Sequence, residues 1–401
     1  MDKRVIKIGV VAGERSGDAL GAGLLRALRA RNAGLQFSGL GGEAMIAAGL
    51  HSIADMQRLS VMGIIEPLKR LPDLFALRRE LREHFVRERV ELVVTIDSPD
   101  FNLGLARQLR QRGISTCHYV CPSVWAWRQR RVHKIAASVD HVLCLLPFEQ
   151  DFLARHGIAA TFIGHPLADQ LQAQVPAAGD ATDIDSTVID ATDNDARQTL
   201  CLMPGSRESE VDALLVPFLQ VALACREAMP GIRLLLPAAT ASIAARVRDA
   251  LAQEAFRPLS GSLELRDCSL PGASQAALRE ASVVLLASGT ATLEAALLGI
   301  PMVVAYRMSP LGFALAKRLV KVDHIALPNL LLGERVVPEL VQHEASPVRL
   351  AGEVLALLQD APRRAEIGAR FDALRRMLAR GADDRAADLV LALAECSASD
   401  G

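Results

Sequence analysis

Short apolar runs alternate with helical periodicity along almost the whole chain, and the alternation breaks only once. Val5–Ala12 is apolar except for Lys7, and Ala19–Ala30 follows with Leu20, Leu24, Leu25 and Leu28 on one helical face. Further strand runs lie at Gln36–Leu40, Leu92–Ile96, Ser115–Val120, His141–Leu145 and Thr161–Ile163, with helical stretches such as Leu103–Gln111 and Phe148–Arg155 between them. Continuous apolar runs mark strands buried on both faces. Their alternation with helices predicts a parallel sheet with helices on both sides. The rhythm stops at residues 176–196, PAAGDATDIDSTVIDATDNDA, which hold six aspartates, no basic residue and no aromatic. Such a segment has little to bury and reads as a solvated linker or insertion, leaving the remainder mildly basic.

The alternation then resumes. Thr199–Met203, Arg233–Pro237, Leu263–Arg266, Val283–Ala287 and Pro301–Ala305 read as strands; Ala213–Ala228, Ser242–Glu254, Ala273–Ala281 and Thr290–Leu298 read as helices. The tail from Arg349 is helical and ends in Asp383–Cys396. The expected fold class is α/β. Two doubly wound parallel-sheet domains, 1–175 and 197–348, are joined by the acidic segment 176–196 and face a cleft. Helices in 349–401 are expected to cross back to the first domain.

Composition narrows the function. Across 401 residues, 45 Lys and Arg face 46 Asp and Glu, for a formal charge of −1. A general nucleic-acid binder carries a basic excess, and an aromatic content of 4% supplies few stacking platforms for single strands. The N-terminal apolar run is too short for a signal peptide, and no charge-free stretch approaches the roughly 18 residues of a membrane span. A cytoplasmic location is expected. Seven scattered cysteines with no CxxC pair suit reduced, buried thiols. Cys117, His118 and Cys121 are close in sequence, but no second cluster completes a metal site.

In doubly wound sheets, ligands sit beyond the carboxyl ends of the strands, so the strand ends are where chemistry is sought. Gly13-Glu14-Arg15-Ser16-Gly17-Asp18 follows the first strand; it permits a tight turn, with Ser16 or Asp18 as a helix cap. It is neither GxGxxG nor a P-loop. Asp97-Ser98-Pro99-Asp100 follows Leu92–Ile96. Asp97 is placed to take a proton from an attacking hydroxyl, and Asp97 or Asp100 is equally suited to capping the next helix. Gly205, Ser206 and Arg207 in PGSR join a strand to a helix N-terminus, where amide groups, the helix dipole and a guanidinium fork suit phosphate oxygens. Ser288, Gly289 and Thr290 form a second such turn, with Glu294 one turn on, able either to hold a ribose diol or to stabilise the helix end. Leu327-Pro328-Asn329 is by itself a turn signal.

Leu59–Arg79 is rich in bulky apolar residues interleaved with Lys69, Arg70, Arg78 and Arg79. This pattern suits either an anionic bilayer surface or an amphipathic helix covering the sheet, with Pro67 and Pro72 expected to break any long helix. Asp183-Ile184-Asp185 and Asp193-Asn194-Asp195 mimic a DxD metal motif but lie in the acidic segment, away from any strand end.

Taken together, VAGERSGDALGAGL, LSVMGIIEPL, IDSPDFN, HYVCPSVWAWRQRRVHKI, LPFE, FIGHPLAD, MPGSRESEV, LLASGTATLEAAL, PMVVAYRM and LAKRLVKVDHIALPNLL resemble the lipid-A-disaccharide synthases, in order, over about residues 5 to 335. The resemblance implies a GT-B glycosyltransferase. It implies condensation of UDP-2,3-diacylglucosamine with 2,3-diacylglucosamine 1-phosphate (lipid X) by inversion, without a metal or other cofactor. It implies a monomer or homodimer bound peripherally to the cytoplasmic face of the inner membrane. Residue by residue, it implies Asp97 as the base on the acceptor 6-hydroxyl. Gly205, Ser206, Arg207, Ser288, Gly289 and Thr290 would hold UDP, Glu294 the ribose and Asn329 the diphosphate or sugar, while Gly13 and Glu14 would lie at the acceptor side. Val61, Met62, Ile64, Ile65, Leu68, Lys69, Arg70, Leu74 and Phe75 would meet lipid. Arg15 departs from the family pattern, where a small hydroxyl residue is expected. Alternatives of other classes are another GT-B transferase, a UDP-sugar epimerase and a non-catalytic nucleotide-sugar binder; the missing GxGxxG speaks against a nicotinamide dehydrogenase.

Overall fold

In the computed structural model the described residues are 5–59, 66–126, 129–174, 198–267, 272–309, 313 and 323–399, with backbone alone for 66–70 and 398–399. The acidic segment and its DxD strings lie outside them. The chain divides into two compact units, Met1–Asp169 with Leu378–Gly401, and Gln170–Met377.

Unit 1 runs β1 (Lys7–Ala12), α1 (Arg15–Arg31), β2 (Gln36–Leu40), α2 (Glu43–Ala47), β3 (Leu50–Ser52), α3 (Glu66–Glu88), β4 (Leu92–Ile96), α4 (Pro99–Arg110), β5 (Ser115–Tyr119), α5 (Val132–Ala136), β6 (His141–Cys144), α6 (Pro147–Ala154) and β7 (Ala160–Phe162). Its seven parallel strands are ordered β3-β2-β1-β4-β5-β6-β7. The order reverses between β1 and β4, so loops leaving these two strands flank the switch point where such sheets bind ligands. β4 is buried end to end, as a central strand covered on both faces must be.

Unit 2 begins in α7 (Pro166–Ala173). It continues through β8 (Thr199–Met203), α8 (Glu208–Ala228), β9 (Arg233–Ala238), α9 (Ala241–Leu251), β10 (Leu263–Asp267), α10 (Ala273–Arg279), β11 (Val283–Ala287), α11 (Thr290–Leu297), β12 (Met302–Tyr306), α12 (Leu327–Leu332), β13 (Glu339–Val341), α13 (Pro347–Gln359) and α14 (Ala361–Leu378). Its six parallel strands are ordered β10-β9-β8-β11-β12-β13, with the reversal between β8 and β11.

The last helix, α15 (Ala382–Ser399), belongs to unit 1. Ala382, Ala386, Ala387, Val390 and Ala394 are fully buried in the same core as Leu24, Leu25 and Leu28 of α1. Arg31 pairs with Asp384 and Asp388 at its margin. The tail therefore splits at Leu378 and not at 349: α13 and α14 stay with unit 2.

Two expectations about helices are corrected. The prolines do not break α3, which is a single 23-residue helix with Pro72 inside it. Pro67 sits in the first turn, where its missing N–H has no intrahelical partner in any case, and Pro72 forfeits one bond early in the helix. Asp18 does not cap α1, whose N-cap is Glu14. Its buried carboxylate instead accepts from the amides of Gly42, Ala44 and Met45 and so holds the start of α2.

Candidate active site

In unit 1 the switch point gathers the two loops singled out by sequence. A β-carbon on Gly13 would lie 2.8 Å from Ser98 Oγ and 2.6 Å from Leu59 Cδ2, so the loop after β1 passes close against the loop after β4. Glu14, exposed, starts α1 beside this crossing.

Asp97 and Ser98 both have left-handed backbones, φ 51° and 44°. Two consecutive non-glycine residues in that region store strain of order 1 kcal/mol each. The distortion is held by Asn102, fully buried, whose Nδ2 donates to the carbonyls of Ile96 (3.0 Å) and Asp97 (2.7 Å). The Asp97 amide donates to the Tyr119 carbonyl at 3.0 Å. The turn ends the strand sharply at a half-buried carboxylate. Burial raises the pKa of Asp97, opposed by a hydrogen bond from the Ser98 amide. Asp100 is exposed and pairs with Arg131.

In unit 2 the loops after β8 and β11 flank the second switch point. Gly205 has φ 131°, and a β-carbon there would meet Glu210 Cβ at 2.5 Å. Glu210, which the sequence reading passed over, sits at the centre of this loop. Its carboxylate accepts from the amides of Ser206 (3.2 Å) and Arg207 (3.3 Å) and from the Arg207 guanidinium (2.9 Å). The donors expected for a phosphate are thus already engaged by an internal anion. Tyr306, at the end of β12, was also missed. Burial raises its pKa, Glu210 raises it further, and Arg207 opposes.

The α11 end is different. Its N-cap Gly289 receives no side-chain cap, and Gly289 and Thr290 are exposed. Ser288 donates from Oγ to the Ile325 carbonyl at 2.9 Å, and buried Thr292 donates to the Gly289 carbonyl at 2.7 Å, fixing the turn. Glu294 is half-buried; burial raises its pKa, with a hydrogen bond to Gln275 opposing.

Asn329 is fully buried, and both ends of its amide are engaged within the protein. Nδ2 donates to the Val337 carbonyl and to Glu339, and Oδ1 accepts from the amides of Val336 and Val337. Glu339 in turn accepts from the amides of Ile325 and Ala326. Asn329 therefore ties β13 to the loop that carries Ile325, the partner of Ser288.

Among the proposed lipid contacts, Val61, Met62, Ile64 and Ile65 lie outside the described residues, and Leu68, Lys69 and Arg70 are described by backbone alone. Leu74 packs against the core and Leu77 is fully buried, whereas Phe75 is 60% and Leu71 39% exposed. No described helix is long and apolar enough to cross a membrane. Cys117, His118 and Cys121 do not converge. His118 bonds Thr95, while Cys121 lies with Cys144 and Glu149, a buried trio whose ligand atoms are within 4.8 Å of one another. Burial pushes the Glu149 carboxyl up to about 8, and its two oxygens accept from Trp125 and the Leu146 amide.

Comparisons with known proteins agree with this architecture. Solved structures of similar fold include the glycotransferase of kitacinnamycin (TM-score 0.63, 18% identity, 97% of this chain and 99% of that one). Another is UDP-GlcNAc 2-epimerase from Neisseria meningitidis (TM-score 0.63, 12% identity, 96% and 98%). At such identities the likeness concerns the fold alone: two parallel-sheet α/β domains of GT-B type. Sequence relatives are nearer. The lipid-A-disaccharide synthase of Alkalilimnicola ehrlichii is 45% identical over 389 residues, 97% of this chain and 99% of that protein. That of Pseudomonas aeruginosa is 44% identical over 390 residues, 97% and 98%. The family model described as lipid-A-disaccharide synthetase matches residues 8–390, and with that coverage the chain belongs to the lipid-A-disaccharide synthetase family.

Proposed function

We propose that this chain is the hexosyltransferase of lipid A disaccharide synthesis. It joins UDP-2,3-diacylglucosamine to 2,3-diacylglucosamine 1-phosphate and releases UDP and a β-1,6-linked disaccharide 1-phosphate. The observation that carries the chemistry is the strained, half-buried Asp97 at the switch point of unit 1. Burial raises its pKa, which makes the carboxylate a better proton acceptor than an ordinary aspartate. Asp97 takes the proton of the acceptor 6-hydroxyl as that oxygen attacks the anomeric carbon. The bond to the UDP oxygen breaks, and the configuration inverts in one displacement. The leaving diphosphate is met by the uncapped start of α11 and by Arg207. Glu294 holds the ribose. The exposed apolar side chains of α3 lie against acyl chains at the membrane surface, to which the protein binds peripherally.

A UDP-release assay with the purified donor and acceptor, in the presence of EDTA, tests this reading. Full turnover and a disaccharide 1-phosphate on thin-layer chromatography are expected. Release of free sugar, or an isomerised UDP-sugar with no acceptor consumed, would point to an epimerase-type reaction instead. Asp97→Asn is expected to lower kcat by roughly 10³-fold and to leave UDP affinity within about twofold.

A further inference from the structure

We infer that Arg78 binds the phosphate of the acceptor and sets the preference for a phosphorylated over an unphosphorylated sugar; this rests on the acceptor proposed above.

Arg78 projects from α3 onto the first turn of α4, directly after the Asp97-Ser98 turn. Its guanidinium stands over two rings, 4.9 Å from the Phe101 centroid and 5.7 Å from that of Phe75. Its Nη2 donates to the Asp100 carbonyl at 3.3 Å. Nε is shut off from solvent and has no partner. No carboxylate among the described residues lies within ion-pair distance of it. Of the arginines near it, Arg82 pairs with Glu83 and Arg131 with Asp100.

A guanidinium that has lost part of its water and gained no counter-charge is costly. Burial accordingly lowers its pKa. Such a group persists where a ligand completes it. The two rings restrict where the guanidinium can swing, and a fork held in place suits two oxygens of a phosphate monoester. Its setting selects the ligand further. The exposed Phe75 and Leu71 lie one and two turns back along α3 and suit an acylated sugar. The hydrogen bond to Asp100 places the cation three residues from the base. This attachment favours the acceptor's phosphate over that of a bilayer phospholipid.

The test compares 2,3-diacylglucosamine 1-phosphate with 2,3-diacylglucosamine as acceptors, in detergent micelles free of phospholipid. Wild-type protein is expected to favour the phosphorylated acceptor by roughly 10- to 100-fold in kcat/KM, through KM. Arg78→Met is expected to lose most of that preference, its kcat/KM falling far more on the phosphorylated than on the bare acceptor, and Arg78→Lys to retain part of it. Equal losses on both acceptors would mean that Arg78 only packs α3 on α4, and an unchanged preference would place the phosphate elsewhere; either result overturns the inference. Binding to phosphatidylglycerol vesicles is expected to be the same for Arg78→Met and wild type. Lost vesicle binding with intact acceptor preference would assign the cation to the bilayer and overturn it too. Wild-type protein that releases UDP with neither acceptor overturns the proposed reaction itself, a result separate from any effect of the variants.

Discussion

The carboxylate of Glu210 occupies the very donors that a diphosphate would use. Three charge-assisted bonds, from the Ser206 and Arg207 amides and the Arg207 guanidinium, hold this loop to the start of α8. A ligand that recruits Arg207 must take it from Glu210, and part of its binding energy is spent on that exchange. Glu210→Gln removes the competing charge and keeps a cap, so UDP affinity is expected to rise about 3- to 10-fold by titration calorimetry. A tenfold fall would mean that Glu210 builds the cradle and does not obstruct it. In the proposed mechanism Asp97 sets the acid side of the pH profile. Its pKa in the folded protein lies above the ordinary aspartate value, because burial disfavours the charged form. The active form is the ionised one, so kcat/KM falls as pH drops through that raised pKa. The acid limb is expected above the range of an exposed aspartate. It should disappear from the residual activity of Asp97→Asn, which also keeps the left-handed preference of the site.

Among the elements, those with a strong apolar run were legible in the sequence. β4 and β11 are buried along their length and β8 all but Met203 at its end, and threonine is the sole polar residue type in the three strings. β3 and β13 were not legible. They are three-residue edge strands whose pairing comes from the neighbour and not from their own pattern. α3 was misread because proline was weighed as a breaker without regard to its position in the first two turns. In the site, loop positions were readable from Gly and Pro, but partners brought together by tertiary packing were not: Asp18 with α2, Glu210 with PGSR, Tyr306 with Arg207. Asn329 shows the limit best. LPN reads as a turn, while the structure makes its amide the rivet between α12, β13 and the turn before α11. Asn329→Ala strands the Val336 and Val337 amides in the interior. It is expected to cost about 2–4 kcal/mol in stability by denaturant melts. UDP affinity should weaken with it, because Ile325 no longer holds Ser288 in place.

For the molecule as a whole, the division between units is uneven in sequence. Unit 2 is a nearly continuous stretch, Gln170–Met377, whereas unit 1 needs α15 from the far end. Five fully buried side chains of α15 fill the core over α1, and Asp169 accepts from the amides of Gly381 and Ala382 at its start. A chain ending at Met377 is expected to lose the cooperative melting of unit 1 and to retain that of unit 2, which amide hydrogen exchange would resolve peptide by peptide. A truncated protein whose β1 and β4 amides stay as protected as in the intact chain would contradict this view.

Protein synthesis runs from β1 toward α15, so the ribosome finishes every residue of unit 2 before it makes the helix that closes unit 1. Through that interval the sheet bearing Asp97 waits with the α1 face of its core uncovered. A stop just ahead of Ala382 leaves unit 2 whole and unit 1 without the five buried side chains that complete its core, so the folding of the Asp97 sheet is the last step of synthesis to be secured.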